Sequence, residues 1–358
     1  MRVSWRSAIG IAISVALLWW TLRGVHLADL WDVLRQSNVG WWALAVVAAT
    51  SIFPLRAIRW RLILDPVANG IPLGMLWRSI AIGMMVNNLV PARAGEFARA
   101  YALTRETPRV GFAASFASLA VDRVFDAVVL LLLLIVGMFE LPAAQDTVVA
   151  GQPLSNWVGW GTVVMVAMVA ALYTVVVFPS RIIALYEAFS RRVAPRFEER
   201  GRDALMAFAA GLSVLRSPRR FGAVMLWTVL HWVMNAFAFW CGFKAIGLAM
   251  SLSGAFVVQG LMAIGVAVPS SPGFFGVFEA IARAILPMYG VTGDQAVAWG
   301  FAYHILTFIP ITLIGLYYFA RLDLRFGELR TAAETGGEGV EPPAATTVSI
   351  PSEPRPGA

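Results

Sequence analysis

The sequence predicts an all-α polytopic membrane protein, with about six full spans and two re-entrant helical hairpins arranged as an inverted repeat. Three observations predict it. Hydrophobic residues make up 59% of the 358-residue chain and charged residues only 14%, more apolar surface than a soluble domain can hide behind polar side chains. Those residues gather in helix-length blocks without strand-like alternation, and in lipid only helices or closed barrels satisfy the backbone. The arginines, finally, sit beside the blocks and so mark the cytoplasmic side. The formal charge of +7 is thereby explained by topology, and no nucleic-acid partner is expected.

Apolar stretches lie near 7–22, 40–55, 73–90, 110–139, 157–178, 221–243, 252–268, 274–286 and 297–319. The first follows Arg2 and Arg6 like a secretory signal, but Trp19, Trp20 and Arg23 stand where small cleavage-site residues belong, so it reads as a retained span. Arg56, Arg59 and Arg61 follow the second stretch, and nine arginines occupy the connector from 179 to 220. Both places belong in the cytoplasm. A full crossing by 73–90 would strand Arg93, Arg99, Arg105 and Arg109 outside. A segment that enters, breaks near Asn87–Pro91 and returns keeps them inside. The stretch 252–286 mirrors it from the other face, breaking at Pro269–Gly273, and 297–319 then crosses inward to Arg321, Arg325 and Arg330. Eight full spans are the alternative count. The expected location is the cell's inner (plasma) membrane, with both termini cytoplasmic.

A shift of 178 residues lays Pro91 on Pro269 and Gly95 on Gly273, and brings the flanking apolar runs into register. Each copy, about 1–145 and 150–325, then makes an odd number of crossings, so the second runs in the opposite sense. The membrane region is expected to cover 1–330. The remaining 331–358, rich in Gly, Pro and Glu, is expected to be a disordered cytoplasmic tail. The stretch from 180 to 215 mixes Arg with Phe and Leu, which suits either an interfacial helix or a solvated connector. The single Cys241 excludes a disulfide framework and reads as packing.

Ionisable residues are costly in lipid, so those inside apolar segments are candidate site residues. NNLVPARAGEFARAY, residues 87–101, holds Asn87 and Asn88 before a Pro-Gly break and Arg93, Glu96 and Arg99 after it. A half-helix starting there points unpaired amides inward, where with the arginines they suit a phosphate or other anionic headgroup; a structural ion-pair network is the other reading. VDRVFD, residues 121–126, sets Asp122 and Asp126 on one helix face, with Arg123 three residues before Asp126. This group suits either structural pairing with the hairpin arginines or transport, including carriage of a coupling proton. PSSPGFFGVFE, residues 269–279, supplies Ser270, Ser271 and Glu279 at the mirrored break. His231, Asn235, Tyr303 and His304 are polar residues of late spans that suit cross-helix hydrogen bonds. Neither a metal-ligand spacing nor a nucleophile elbow nor a phosphate loop occurs, and neither cofactor nor metal nor catalytic residue is expected.

Taken together, RAIRWRLIL (56–64), NNLVPARAGEFARAY, VDRVFD, PSSPGFFGVFE and the Tyr303-His304 pair resemble the membrane region of the lysylphosphatidylglycerol synthases, the flippase-like superfamily, over about residues 7–320. The resemblance implies movement of a phospholipid or lipid-linked headgroup between leaflets, in a stand-alone member without the soluble synthase domain. Expected partners are membrane lipids, anionic or aminoacylated phospholipids or polyprenyl-linked ones, and a lipid-modifying enzyme. His304 joins the substrate-binding candidates with the residues of the three motifs. An integral-membrane enzyme using Glu96 or Asp122 as acid or base, and a membrane partner of a lipid-modifying or glycosyl-transferring enzyme, are the alternatives.

Overall fold

A computed structural model of the chain describes residues 27–90, 94–138, 178–193, 217–266 and 272–329, with scattered positions elsewhere between 19 and 206. The stretches 7–22 and 157–178, apart from such positions, and the tail 331–358 lie outside the described residues.

The described chain is almost wholly helical. A short α1 (Leu27–Arg35) leads to α2 (Val39–Leu64). Asn38 caps α2 by accepting the Trp41 N–H, and the Asn38 amide itself donates to the carbonyl of Ala245. Next come α3 (Leu73–Leu89), α4 (Gly95–Glu106) and α5 (Phe112–Met138). A two-stranded ribbon pairs Val148–Val149 with Gln152–Pro153. The amphipathic α6 (Pro179–Val193) exposes Leu185 and Phe189 and carries Arg191 and Arg192 in its last turn. It is followed by α7 (Pro218–Ala245), capped by Ser217 with Pro218 in the first turn, and α8 (Leu252–Gly265), capped by Ser251. A short turn of 3₁₀ helix, Pro272–Phe274, precedes α9 (Val277–Ile285). The last long helix, α10 (Gly293–Arg321), starts with a Thr292–Gln295 capping box.

Helices α2, α7 and α10 are long and apolar enough to cross a membrane. With 27 residues α5 has the length too, but carries Asp122, Arg123 and Asp126. The intervening helices are shorter. At 1.5 Å per residue the 12 residues of α4 extend about 18 Å and the 9 residues of α9 about 13 Å, against a hydrocarbon core of about 30 Å.

The shift of 178 residues places α2 on α7, α3 on α8, α4 on Pro272–Ile285 and α5 on α10, with helix ends agreeing to within about five residues. Packing ties the two sets together: α2 lies along α7, while α10 packs on α3 and α5 packs on α8. One core gathers Phe53, Trp60, Ile80, Leu103 and Phe319, and the other Trp42, Phe239, Phe243, Val258 and Trp299. Each core draws helices from both sets. The space between the cores is where the charged residues meet.

Candidate functional site

Helical spacing on three elements brings the charges together. On α2, Arg56 and Arg59 are three residues apart, so both face inward along with Trp60. On α5, Asp122 and Asp126 share the opposing face, and α4 contributes Arg99 one turn after Glu96. Arg59, with no exposed surface, spans both aspartates: Nη2 lies 2.6 Å from Asp122 Oδ1 and Nη1 2.6 Å from Asp126 Oδ1. Arg99 Nη1 donates to Asp122 Oδ2 at 3.1 Å, with its guanidinium 3.8 Å above the Trp60 ring. Arg56 Nη2 approaches the same oxygen at 3.9 Å. Arg123 bridges outward to Asp126 at 3.4 Å and to Glu96 at 2.7 Å. The Trp232 indole N–H of α7 donates to Asp126 Oδ1 at 2.9 Å.

Isolated charges cannot persist in such a place; paired, hydrogen-bonded ones can. Among the described residues the network sets four guanidinium groups against three carboxylates, an excess of one positive charge. Arg59 and Arg99 are buried in it. Arg123 is its most open member, with 41% of its side chain exposed, and the buried Arg56 also donates through Nη1 to Met84 Sδ at 3.8 Å. Arg56, Arg123 and Asp126 form one wall of a cavity of about 280 Å³.

Gln259 on α8 and Tyr303 and His304 on α10 line the same cavity, and α7 adds Asn235 and His231, whose Nδ1 lies 3.9 Å from Asp126 Oδ1. Asn235 Nδ2 donates to Gln259 Oε1 at 3.1 Å, while the buried Gln259 Nε2 has no hydrogen-bond partner among the described residues. His304 Nδ1 lies 2.7 Å from Glu279 Oε1, and the Gly276 N–H donates to Glu279 Oε2 at 2.7 Å. Phe275 stacks on the His304 imidazole at 4.4 Å.

Both helix breaks are held by side chains of their own segments. Asn87 Oδ1 accepts the Gly95 N–H at 2.8 Å, so this amide at the start of α4 is engaged within the protein, as the Gly276 amide is at the start of α9. Asn88 Nδ2 donates to Thr312 on α10 at 2.8 Å. Glu96 and Arg99 are both paired to α5, which is the ion-pair arrangement weighed for this motif. Arg93, Ser270 and Ser271 lie outside the described residues.

The structure thus brings Glu96, Arg99, Asp122, Arg123 and Asp126 into one network, and Glu279 and His304 into a second. Arg56 and Arg59 are members that positive-inside counting assigned to topology alone. Their separation of three residues, with Trp60 adjacent, is the signal that would have found them. Gln259 was also missed, and a single glutamine in an apolar helix was its only sign.

These features define an integral helical membrane protein with a buried ion-pair network beside a cavity shared by two similar helix sets. Residues 7–315 match the family described as Lysylphosphatidylglycerol synthase TM region, and the chain belongs to it. Two relatives, each named UPF0104 membrane protein, come from Methanothermobacter thermautotrophicus. One is 23% identical over 87% of this chain and 94% of its own length. The other is 24% identical over 80% and 85%. A third match, Glycosyltransferase AglD of Haloferax volcanii, is 32% identical over 35% of this chain and 20% of that protein.

Proposed function

We propose that the chain moves a phospholipid or lipid-linked headgroup between leaflets, acting as a carrier and not as an enzyme. The observation that carries this reading is the cavity of about 280 Å³, lined by Arg56 and Arg123 from one helix set and by Gln259 and His304 from the other. A headgroup bearing phosphate meets two guanidinium groups and an amide donor there, while its chains stay in lipid. Asp122 and Asp126, locked against Arg59 and Arg99, hold Arg56 and Arg123 in place, and Arg59 and Arg99 do not contact the headgroup. The short α4 and α9, each following a break, support hairpins that enter and return, and the register of α2–α5 with α7–α10 supports an inverted repeat. In this arrangement both termini are cytoplasmic, the membrane is the cell's inner one, and α6 lies against its anionic surface through Arg191 and Arg192.

The test is a leaflet-resolved assay in proteoliposomes containing fluorescent phosphatidylglycerol. Wild-type protein is expected to move the lipid, and a double variant Arg56→Gln/Arg123→Gln to move it at least tenfold more slowly. Equal rates would remove the cavity arginines from the site.

A second reading is favoured by the match to a protein named a glycosyltransferase: the chain serves as membrane partner of a glycosyl-transferring enzyme. Loss of that enzyme's activity on deletion of this chain, with lipid movement in vesicles absent, distinguishes the two.

A further inference from the structure

We infer that Glu279 and His304 form a proton-carrying pair, and that this chain carries a proton in the same direction as the headgroup. The inference rests on the transport reading above and adds the ion that drives it.

The two networks flanking the cavity differ in what can leave them. In the first, Asp122, Asp126 and Glu96 face arginines at 2.6 to 3.4 Å, and a guanidinium does not give up its proton in a protein. In the second, the only ion-pairing partner of Glu279 among the described residues is a histidine, whose imidazole, unlike a guanidinium, can accept and release a proton. Its carboxylate is fully buried, with one oxygen fixed by the Gly276 N–H and the other on His304 Nδ1. With Nδ1 so engaged, Nε2 is the ring nitrogen left to exchange a proton with the cavity that His304 lines. The repeat adds a further sign: the shift that superposes the two helix sets lays Asp126 on His304, so an aspartate paired with arginines in one set is matched by a histidine paired with a glutamate in the other.

Glu279 on α9 contacts His304, and the other charged and titratable groups that line the same cavity are Arg56 on α2, Arg123 and Asp126 on α5, His231 on α7 and the neighbouring Tyr303. A proton on His304 adds a positive charge to a cavity that Arg56 and Arg123 also line, which an empty cavity disfavours. An anionic headgroup reverses the balance. Anion and proton therefore bind with positive cooperativity, each raising the affinity for the other. The step is a proton transfer from water to Nε2 on one side of the membrane and back to water on the other. It makes and breaks no other bond.

Only three histidines occur in the chain, His26, His231 and His304, so nitrogen NMR of histidine-labelled protein resolves the site. The His304 resonance, assigned by its loss in His304→Gln, is expected to respond to pH, and that response is expected to change in Glu279→Gln but not in His231→Gln. An imidazole that does not titrate overturns the proposal whatever lipid is present. In proteoliposomes with fluorescent phosphatidylglycerol, an imposed pH gradient is expected to enrich the lipid in the leaflet facing the alkaline side, by up to about tenfold per pH unit at one proton per lipid. Movement that ignores the gradient overturns the coupling and leaves the transport reading standing. Lipid that does not move at all overturns both.

Discussion

Replacing Arg59 by alanine leaves Asp122 and Asp126 buried without the guanidinium that spans them. An uncompensated buried charge costs about 3–5 kcal/mol, so Arg59→Ala is expected to lower the unfolding temperature of the purified protein in detergent sharply. Arg59→Lys restores charge but not the fork that reaches two carboxylates at once, and is expected to recover only part of the loss. Arg123→Ala differs in kind. Its side chain is 41% exposed, and Asp126 keeps Arg59 and Trp232 when Arg123 is removed, so its thermal unfolding is expected to fall much less than that of Arg59→Ala while headgroup movement falls. A large stability loss in Arg123→Ala would place it with Arg59 in the structural part of the network. This division was not legible in the chain. The motifs identified which charges sit in apolar segments, but pairing depends on which helix faces which, and Arg56 and Arg59 looked like ordinary markers of the cytoplasmic side.

Among the elements, the first helix pair is set by two glycines. A Cβ on Gly95 would lie 2.0 Å from the Gly83 carbonyl oxygen, and one on Gly83 would lie 2.7 Å from that of Gly95, so α3 and α4 touch backbone to backbone. Gly95→Ala is expected to push the two helices apart, costing about 1–3 kcal/mol, and to slow lipid movement because Arg99 and Glu96 ride on α4. Gly111→Ala, whose Cβ meets nothing within 4 Å, is the control and is expected to leave the unfolding temperature unchanged. Equal behaviour of the two variants would show that this crossing tolerates a methyl group. The second pair turns instead on Gly273 and Gly276, both with positive φ, where side chains other than glycine are strained. The Pro-Gly spacing announced both breaks; the close crossing of α3 and α4 had no counterpart in local sequence.

Across the whole molecule, the hairpin arrangement is tested by cysteine labelling with a membrane-impermeant maleimide, since the native Cys241 is buried. Arg109→Cys, between α4 and α5, is expected to label from the cytoplasm, and Gly293→Cys, at the start of α10, from outside. Leu89→Cys, at the end of α3, is expected to label from neither side. External labelling at position 89 would convert the first hairpin into two full spans.

The amino-acid sequence by itself determined the membrane class, the helical content, the two Pro-Gly breaks and the 178-residue register, because hydropathy, helix length and turn chemistry are local properties. It also marked Glu96, Arg99, Asp122, Arg123, Asp126, Glu279 and His304 as too costly to place in lipid without a partner. Only the tertiary structure decided the partners: that Asp122 and Asp126 share Arg59, that Glu96 reaches Arg123, and that Glu279 holds His304 at the cavity wall. The physical reason is separation along the chain. These contacts join residues tens of positions apart in the chain, and pairing at that distance follows from how α2 and α4 pack against α5 and α9 against α10, which no local pattern encodes.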